Sequence, residues 1–253
     1  MRLTVVGCSG SVPGPRSPAS CYLLEAPYEG DIFRLLLDLG SGSFGHLQRY
    51  IAPTQVGAVA LSHLHADHCL DLTAMYVQRK YDPAAPYPRL AVYGPPGTAA
   101  RMARAYDLPE RPGMTEVFDF REWRDGDAVR IGPFEVALTR MAHPVESFAM
   151  RVSSQGRVLT YSGDTGPCEG LVSSARGADV LLAEASLTEA PDKPADLHLT
   201  GREAGAHASR AGVGRLLLTH LPPWTDPGRV LGEAESSFDG PVELVEAGAS
   251  YDI

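Results

Sequence analysis

The sequence has little lysine and a deficit of positive charge. Only Lys80 and Lys193 are lysines among its 22 basic residues, and 31 Asp and Glu give a formal net charge of −9. Proteins that bind a polyanion such as nucleic acid, or an anionic membrane surface, usually present a basic face. The composition therefore disfavours both partners, and any phosphate recognition would depend on arginine or on a metal ion.

Long hydrophobic runs and cysteine frameworks are also missing. No stretch reaches the ~18 apolar residues of a membrane span, and the N-terminal run LTVVG is too short for a signal-peptide core. The four cysteines are scattered without a CxxC pair: Cys8, Cys21, Cys69 and Cys168. Because disulfides belong mainly to small secreted domains, we expect reduced thiols in a soluble cytoplasmic protein with no membrane partner.

Short apolar, β-branched runs that end in polar or glycine-rich turns predict strands. The predicted strands cover residues 3–7, 20–25, 33–38, 56–62, 90–93, 129–131, 134–140, 148–152, 158–162, 180–184, 216–219 and 242–245. Helices are predicted over 70–81, 96–106, 170–177 and 200–212, the last with Thr200 and Glu203 at capping-box spacing. This pattern predicts an α/β protein with two sheets inside and helices outside, formed by one domain over residues 1–253.

The segment VGAVALSHLHADHCLDL holds the densest set of metal-ligand side chains. A buried strand leads into His63, His65, Asp67 and His68, and a helix follows. His63 and His65 alternate, so they point the same way if the backbone stays extended. Neutral imidazoles suit zinc, and a carboxylate neutralises part of the metal charge.

Three more candidate ligands follow the ends of apolar strands. His143 comes after FEVALTRM, Asp164 after VLTYSG, and His220 after RLLLT. Open α/β sheets place their sites at the carboxyl ends of their strands. Five histidines and two aspartates are enough for two metal ions that share a bridging carboxylate, an arrangement that can clamp a phosphoryl group.

These motifs resemble the metallo-β-lactamase family, whose fold is a four-layer αβ/βα sandwich with a dinuclear site between its sheets. The later segments LLAEAS and DLHLTGREAG resemble its ribonuclease Z-like branch. Within that branch, GCSGSVPGPRSPASCYLL, AHPVESFAMRV, YSGDTG and LLLTHLPPW look like the actinobacterial atypical class II cyclic-nucleotide phosphodiesterases. The resemblance extends from near residue 3 to near residue 245.

The resemblance implies a role for each matching residue. The first metal ion would be held by His63, His65 and His143. The second would be held by Asp67, His68 and His220, with Asp164 bridging the two ions. Asp67, His198 and Glu184 are the expected catalytic residues, with His198 as proton donor or oxyanion stabiliser and Glu184 orienting it. Such a role suits a histidine held by a carboxylate, because a leaving alkoxide needs a proton.

The implied activity is hydrolysis of a small phosphodiester, 3′,5′-cyclic AMP to 5′-AMP, by a hydroxide that bridges two divalent ions. Zinc is the expected metal, and manganese also suits this ligand set. The branch further implies a homodimer.

Three other functions remain open at this point. A ribonuclease Z-like RNA 3′-processing endonuclease would use the same metals, but only 20 residues separate His143 from Asp164, too few for the long arm of those enzymes. Their early loop carries a lysine and an arginine, whereas SVPGPRSPAS offers only Arg16. Thioester or lactam hydrolysis is compatible with the same metal motifs. A non-catalytic metal-binding scaffold is the remaining alternative, although such proteins usually lose ligands.

Four side chains near the motifs have two readings each. Arg16 could reach a substrate phosphate or lie in solvent, and Trp224 could wall a base pocket or join the core. Cys69 and Cys168 lie beside the ligand motifs and could be zinc thiolates or small buried thiols. The second interpretation is favoured, since the ligand set is complete without them.

Overall fold

The computed structural model describes all 253 residues. Fourteen strands are present: β1 (Arg2–Gly7), β2 (Cys21–Tyr28), β3 (Asp31–Leu37), β4 (Ala58–Ala60), β5 (Leu90–Gly94), β6 (Phe118–Glu122), β7 (Ala128–Ile131), β8 (Phe134–Arg140), β9 (Phe148–Ser154), β10 (Arg157–Tyr161), β11 (Val180–Glu184), β12 (Leu216–Thr219), β13 (Val242–Leu244) and β14 (Ser250–Asp252).

The strands form two mixed sheets of seven strands each. The first has the order β14-β1-β2-β3-β4-β5-β6, and the second has the order β13-β12-β11-β10-β9-β8-β7. Strands β3 to β6 run parallel, as do strands β10 to β13. Each sheet therefore brings the carboxyl ends of several parallel strands to one edge.

Seven helices accompany the sheets: α1 (Ser43–Leu47), α2 (Ala66–Cys69), α3 (Leu72–Tyr81), α4 (Thr98–Ala105), α5 (Glu169–Ala175), α6 (Gly201–Ala211) and α7 (Pro227–Glu235). A short 3₁₀ helix covers Pro53–Gln55. The capping box expected for α6 is present, because Thr200 accepts from the backbone N–H of Glu203 and the Glu203 carboxylate accepts from that of Thr200. None of the helices has both the length and the apolar character that a membrane crossing requires.

Alternate leucines along the central strands pack into different hydrophobic cores, one on each face of the sheet. Both faces are therefore apolar, which explains why these strands are uninterrupted apolar runs. Leu35 and Leu37 of β3 pack between the sheets, while Leu36 packs against the helices outside the first sheet. In β11, Leu182 faces the inter-sheet core and Leu181 faces α5 and α6. Both faces of each central strand are thus covered, as in parallel sheets with helices on their outer sides. The layers are helix, sheet, sheet, helix, which confirms the predicted αβ/βα sandwich.

The segment between His143 and Asp164 is as compact as its length predicts. Strands β9 and β10 pair from Ser154 and Arg157 onward through a two-residue turn. Gln155 and Gly156 both have positive φ, 53° and 76°, as a tight hairpin turn of this kind requires. No arm projects from this hairpin.

The sequence missed some elements and overextended others. Strands β6 and β14 and helices α1, α2 and α7 were not predicted, and the strand predicted over 56–62 is limited to Ala58–Ala60. Ser62 leaves the ladder because its backbone N–H and hydroxyl both donate to the Asp38 carboxylate. The predicted strand over 242–245 likewise ends at Leu244.

Candidate metal centre

The candidate ligands converge where the carboxyl ends of strands from both sheets meet. His63 follows β4, Asp164 follows β10, and His220 follows β12. Helix α2 carries Asp67 and His68. His143 comes from the loop between β8 and β9. All seven residues predicted as ligands therefore come together.

The first cluster contains three imidazoles and one carboxylate: His63, His65, His143 and Asp164. Nε2 of His63 lies 3.1 Å from Nδ1 of His65, which lies 3.2 Å from Nε2 of His143. Oδ2 of Asp164 lies 3.5 Å from Nε2 of His63. The backbone carbonyl of Leu197 accepts from Nδ1 of His143, so the Nε2 lone pair of His143 is directed at the cluster.

The second cluster contains two carboxylates and two imidazoles: Asp67, His68, Asp164 and His220. Nε2 of His68 and Nε2 of His220 face each other at 3.0 Å. Oδ2 of Asp67 lies 3.1 Å from Nε2 of His220, and Oδ1 of Asp164 lies 3.2 Å from Nε2 of His68. Asp164 thus offers one carboxylate oxygen to each cluster.

These distances fit two divalent ions. In a tetrahedral zinc site with bonds of ~2.0–2.1 Å, neighbouring donor atoms lie about 3.3 Å apart. The six donor–donor distances given above fall between 3.0 and 3.5 Å, and all donors of each cluster lie within 4.8 Å of one another. Oδ1 of Asp164 is also buried without a hydrogen-bond partner, although such an atom is expensive to leave unsatisfied. The His/Asp clusters therefore fit a dinuclear metal centre.

The imidazoles of the first cluster favour their neutral, metal-binding form. Burial lowers the pKa of His63 well below its ordinary value, and the nearby His68 lowers it further. Burial also lowers the pKa of His65 and of His143, although Asp164 opposes this in both.

The second cluster is dominated by its carboxylates. Burial alone would raise the pKa of Asp164, but His220, His68 and His63 bring it well below its ordinary value. The pKa of Asp67 is lowered in the same way, since hydrogen bonds from His220 and His68 outweigh burial. Burial lowers the pKa of His68, yet Asp164 and Asp38 raise it well above the ordinary value. The raised pKa favours a protonated His68 imidazole, and a metal ion bound in this cluster would replace the proton on Nε2 of His68.

Asp38 is a site residue that the sequence analysis missed. Its side chain is fully buried and accepts from the Ser62 backbone and hydroxyl, Nδ1 of His68 and the Tyr161 hydroxyl. It follows strand β3 with a φ of 59°, a strained conformation for a non-glycine residue. Its position was a signal, because Asp164 is likewise an aspartate just beyond the carboxyl end of an apolar strand.

Glu184 and His198 form a pair beside both clusters. Nδ1 of His198 donates to Oε1 of Glu184 at 2.8 Å, and the His198 ring lies between His143 and His220, with centroids 5.6 and 5.5 Å away. Glu184 is fully buried and also accepts from the Thr165 backbone. Burial lowers the pKa of His198, but the charge and hydrogen bond of Glu184 raise it to about 9.

Ser186 connects this pair to the second cluster. Its hydroxyl lies 3.0 Å from Oε2 of Glu184 and 2.8 Å from Nδ1 of His220. With Nδ1 of His220 donating to the hydroxyl and the hydroxyl donating to Glu184, the Nε2 lone pair of His220 is directed at the cluster. No sequence motif marks Ser186 as a site residue.

Two glycines allow the backbone to approach the site closely. A Cβ on Gly10 would lie 2.1 Å from the carbonyl oxygen of His220 and 2.9 Å from its Nδ1. Gly163 has a φ of 58°, and a Cβ there would lie 2.9 Å from the carbonyl oxygen of Phe148. The GCSGS loop therefore packs against His220, and Gly163 forms the turn that presents Asp164.

The remaining candidates lie outside the clusters. Arg16 is exposed and makes no hydrogen bond. Trp224 is 71% exposed, so it does not belong to the core. The Cys69 thiol is buried, and burial raises its pKa to about 12. The Cys168 thiol is half-buried and lies 3.9 Å from the sulfur of Met141.

Comparison with known proteins agrees with this geometry. The family model described as "Beta-lactamase superfamily domain" matches residues 34–221, a range that contains every predicted metal ligand. The chain belongs to this superfamily. With its two His/Asp clusters, it is a metallo-hydrolase of the beta-lactamase superfamily.

Several known proteins are similar to this one over nearly the whole chain. An uncharacterized protein of Mycobacterium leprae is 49% identical, and the match covers 100% of this chain and 89% of the relative. A ribonuclease Z of Mycolicibacterium gilvum is 33% identical, over 96% of this chain and 93% of the relative. The crystal structure of the metallo-beta-lactamase fold protein YhfI from Bacillus subtilis is 27% identical, with a TM-score of 0.85 over 99% of both chains.

Proposed function

We propose that this metallo-hydrolase is a phosphodiesterase that hydrolyses 3′,5′-cyclic AMP to 5′-AMP. The observation that carries the proposal is that Asp164 is shared between two metal-type clusters, with the His198–Glu184 pair alongside. Two adjacent divalent ions suit the displacement of an oxygen at phosphorus. A proton donor beside them suits the departing 3′ oxygen, which leaves as an alkoxide.

The chain's own residues would hold two ions. His63, His65 and His143 would bind one, and Asp67, His68 and His220 the other, with Asp164 between them. Bound divalent ions would polarise the phosphoryl oxygens and lower the pKa of a coordinated water to about 7. Zn²⁺ is the proposed metal because neutral imidazoles predominate, and Mn²⁺ suits the carboxylates.

His198 would supply the leaving-group proton. Its Nδ1 donates to Glu184, so Nε2 is the nitrogen that remains to face a substrate. As the oxygen of a water molecule bonds to phosphorus, that water would release one proton to solvent. The bond from phosphorus to O3′ would break, and His198 would transfer its proton to O3′ to give 5′-AMP. The neutral imidazole would then regain a proton from solvent. Glu184 would stabilise the charged imidazole before that transfer and hold its orientation.

Three observations favour a small substrate over precursor tRNA. The net charge is −9, and the hairpin between β9 and β10 has only a two-residue turn. The alignment with ribonuclease Z of Mycolicibacterium gilvum extends over 280 residues, 27 more than the 253 of this chain. At least that many residues of the relative therefore have no counterpart here.

We further propose that the enzyme acts in the cytoplasm as a homodimer. The four free thiols suit a reducing compartment. The dimer rests on the resemblance to the cyclic-nucleotide phosphodiesterase branch, and sedimentation of the metal-loaded protein tests it directly.

The proposal is tested by comparing substrate classes on one metal-loaded preparation. We expect turnover of 3′,5′-cyclic AMP that is lost on chelation and in His143→Ala, with little cleavage of precursor tRNA. RNA cleavage that falls steeply with salt, without cyclic AMP turnover, would favour the ribonuclease alternative. Turnover restricted to a thioester or lactam would overturn the phosphodiesterase proposal and keep the metal centre.

A further inference from the structure

A cleft of about 460 Å³ opens directly beside the first metal cluster. His65 lies in its wall, so a ligand there would touch the centre already described. Its volume lies within the range of ~300–1,000 Å³ that is usual for small-molecule sites. The cleft is therefore placed to hold the part of a substrate that is not hydrolysed.

Three chain segments form this cleft. Strands β4 and β5 pair in parallel, so the loops that follow them lie side by side and contribute Leu64 and Pro96. The loop between β8 and β9 closes the cleft with Val145 and Glu146, just beyond His143. Two of the three segments thus also carry residues of the first cluster.

The lining combines apolar walls with two unpaired charges. Leu64, Pro96 and Val145 present apolar surface, and Val145 is 39% exposed although it is hydrophobic. Arg101, on the first half of α4, and Glu146 also line the cleft. Both are half-buried, and neither side chain forms an ion pair or a hydrogen bond with any other residue. One donor and one acceptor are therefore free in a mostly apolar cleft.

We propose that this cleft is an adenine-binding subsite, in which Arg101 donates to N7 and Glu146 accepts from the N6 amino group. The apolar walls would pack against the faces of the ring. Adenine carries an acceptor and a donor on this edge, which matches one guanidinium and one carboxylate. Guanine carries acceptors at both N7 and O6, so O6 would face the Glu146 carboxylate without a hydrogen atom between them.

This inference rests on the proposed function for its choice of a nucleotide, but binding can be measured without turnover. The metal-loaded protein is titrated calorimetrically with 5′-AMP, 5′-GMP and ribose 5-phosphate. All three ligands contain ribose 5-phosphate, and they differ in carrying adenine, guanine or no base. We expect 5′-AMP to bind roughly tenfold or more tightly than either of the other two, the effect of about one directed hydrogen bond to a charged group.

Two variants assign the contacts. In Arg101→Met, the affinity for 5′-AMP should fall close to the affinity for ribose 5-phosphate. Glu146→Gln should reduce the preference for 5′-AMP over 5′-GMP roughly tenfold, because a glutamine amide can donate to O6. Arg104→Met is the matched control, since Arg104 lies three residues further along α4 and pairs with Glu110 outside the cleft.

The outcomes separate this inference from the proposed function. Equal affinity for 5′-AMP and ribose 5-phosphate in the wild type would overturn the adenine subsite, even if cyclic AMP is hydrolysed. Unchanged base preference in both cleft variants would overturn it as well. A preference for 5′-AMP that depends on Arg101 and Glu146, without cyclic AMP turnover, would support the subsite and refute the proposed reaction.

Discussion

Oδ2 of Asp38 lies 2.7 Å from Nδ1 of His68, and this contact determines which nitrogen of His68 faces the second metal cluster. The same oxygen accepts from the Tyr161 hydroxyl, while Oδ1 accepts from the Ser62 backbone. Through these hydrogen bonds, Asp38 connects the end of β3 to Ser62, next to His63, and to Tyr161 in the second sheet. A carboxylate that holds a ligating histidine in this way usually adds substantially to metal affinity.

Asp38→Asn should weaken metal binding at the second cluster. The asparagine oxygen can still accept from His68, but its negative charge is gone, so we expect a loss of roughly 10–100-fold in affinity. Competition with a chromophoric chelator measures this. Asp179→Asn is the control, because Asp179 is a half-buried aspartate that pairs with Arg157 and the Val158 backbone N–H, outside the metal clusters. Equal affinities for wild type and Asp38→Asn would remove Asp38 from the support of the centre.

His198→Ala should keep both metal ions and lose most of the turnover. Because general acid catalysis contributes typically 10²–10⁴-fold, a fall in kcat of about that size is expected. Metal content and kcat are measured on the same preparation. His46→Ala, on α1, serves as a control in which neither quantity should change. Full turnover in His198→Ala would exclude His198 as the proton donor.

The His198–Glu184 pair should make the stability of chelated protein depend on alkaline pH. The pKa of His198 is raised from its ordinary 6.5 to about 9 in the folded chain, as Glu184 outweighs burial. The stabilisation is therefore complete below about pH 6.5 and is lost as pH rises through about 9. Urea unfolding of chelated protein across this range should show that decline in the wild type and not in His198→Ala. Parallel profiles for the two proteins would contradict it.

Gly10→Ala should disturb the second cluster through the backbone of His220. The new Cβ would lie 2.1 Å from the His220 carbonyl oxygen, so one of the two loops must move. We expect a loss of about 1–3 kcal/mol in the free energy of unfolding, together with weaker metal binding. Gly45→Ala is the control, because a Cβ on Gly45 meets nothing within 4 Å. A variant that matches wild type in both measurements would show that this contact relaxes easily.

The sheets and the ligands could be predicted from sequence because both follow strong local patterns. The apolar runs that become β3 and β11 are buried on both faces, and the ligand motifs stand at strand ends. The missed elements lack such patterns. Strand β6 mixes phenylalanines with charged residues, and β14 has only three residues.

The position of Asp38 at a strand end is visible in the sequence, but its role and that of Ser186 could not be assigned, because both roles depend on contacts between distant segments. Asp38 meets Tyr161 from the opposite sheet, and Ser186 meets His220 from the end of the next strand. The cleft that Arg101 and Glu146 line is also formed by three separate chain segments. Spacing along the chain carries no information on any of these distances.

The products formed from 3′,5′-cyclic AMP would show whether the two clusters hydrolyse a small cyclic phosphodiester. Metal-replete protein is incubated with 3′,5′-cyclic AMP, and the products are separated by chromatography, with chelated protein and His143→Ala in parallel. We expect 5′-AMP as the product, formed only by the metal-replete wild type. No turnover by protein that holds two metal ions, or equal turnover in the chelated sample, would contradict it.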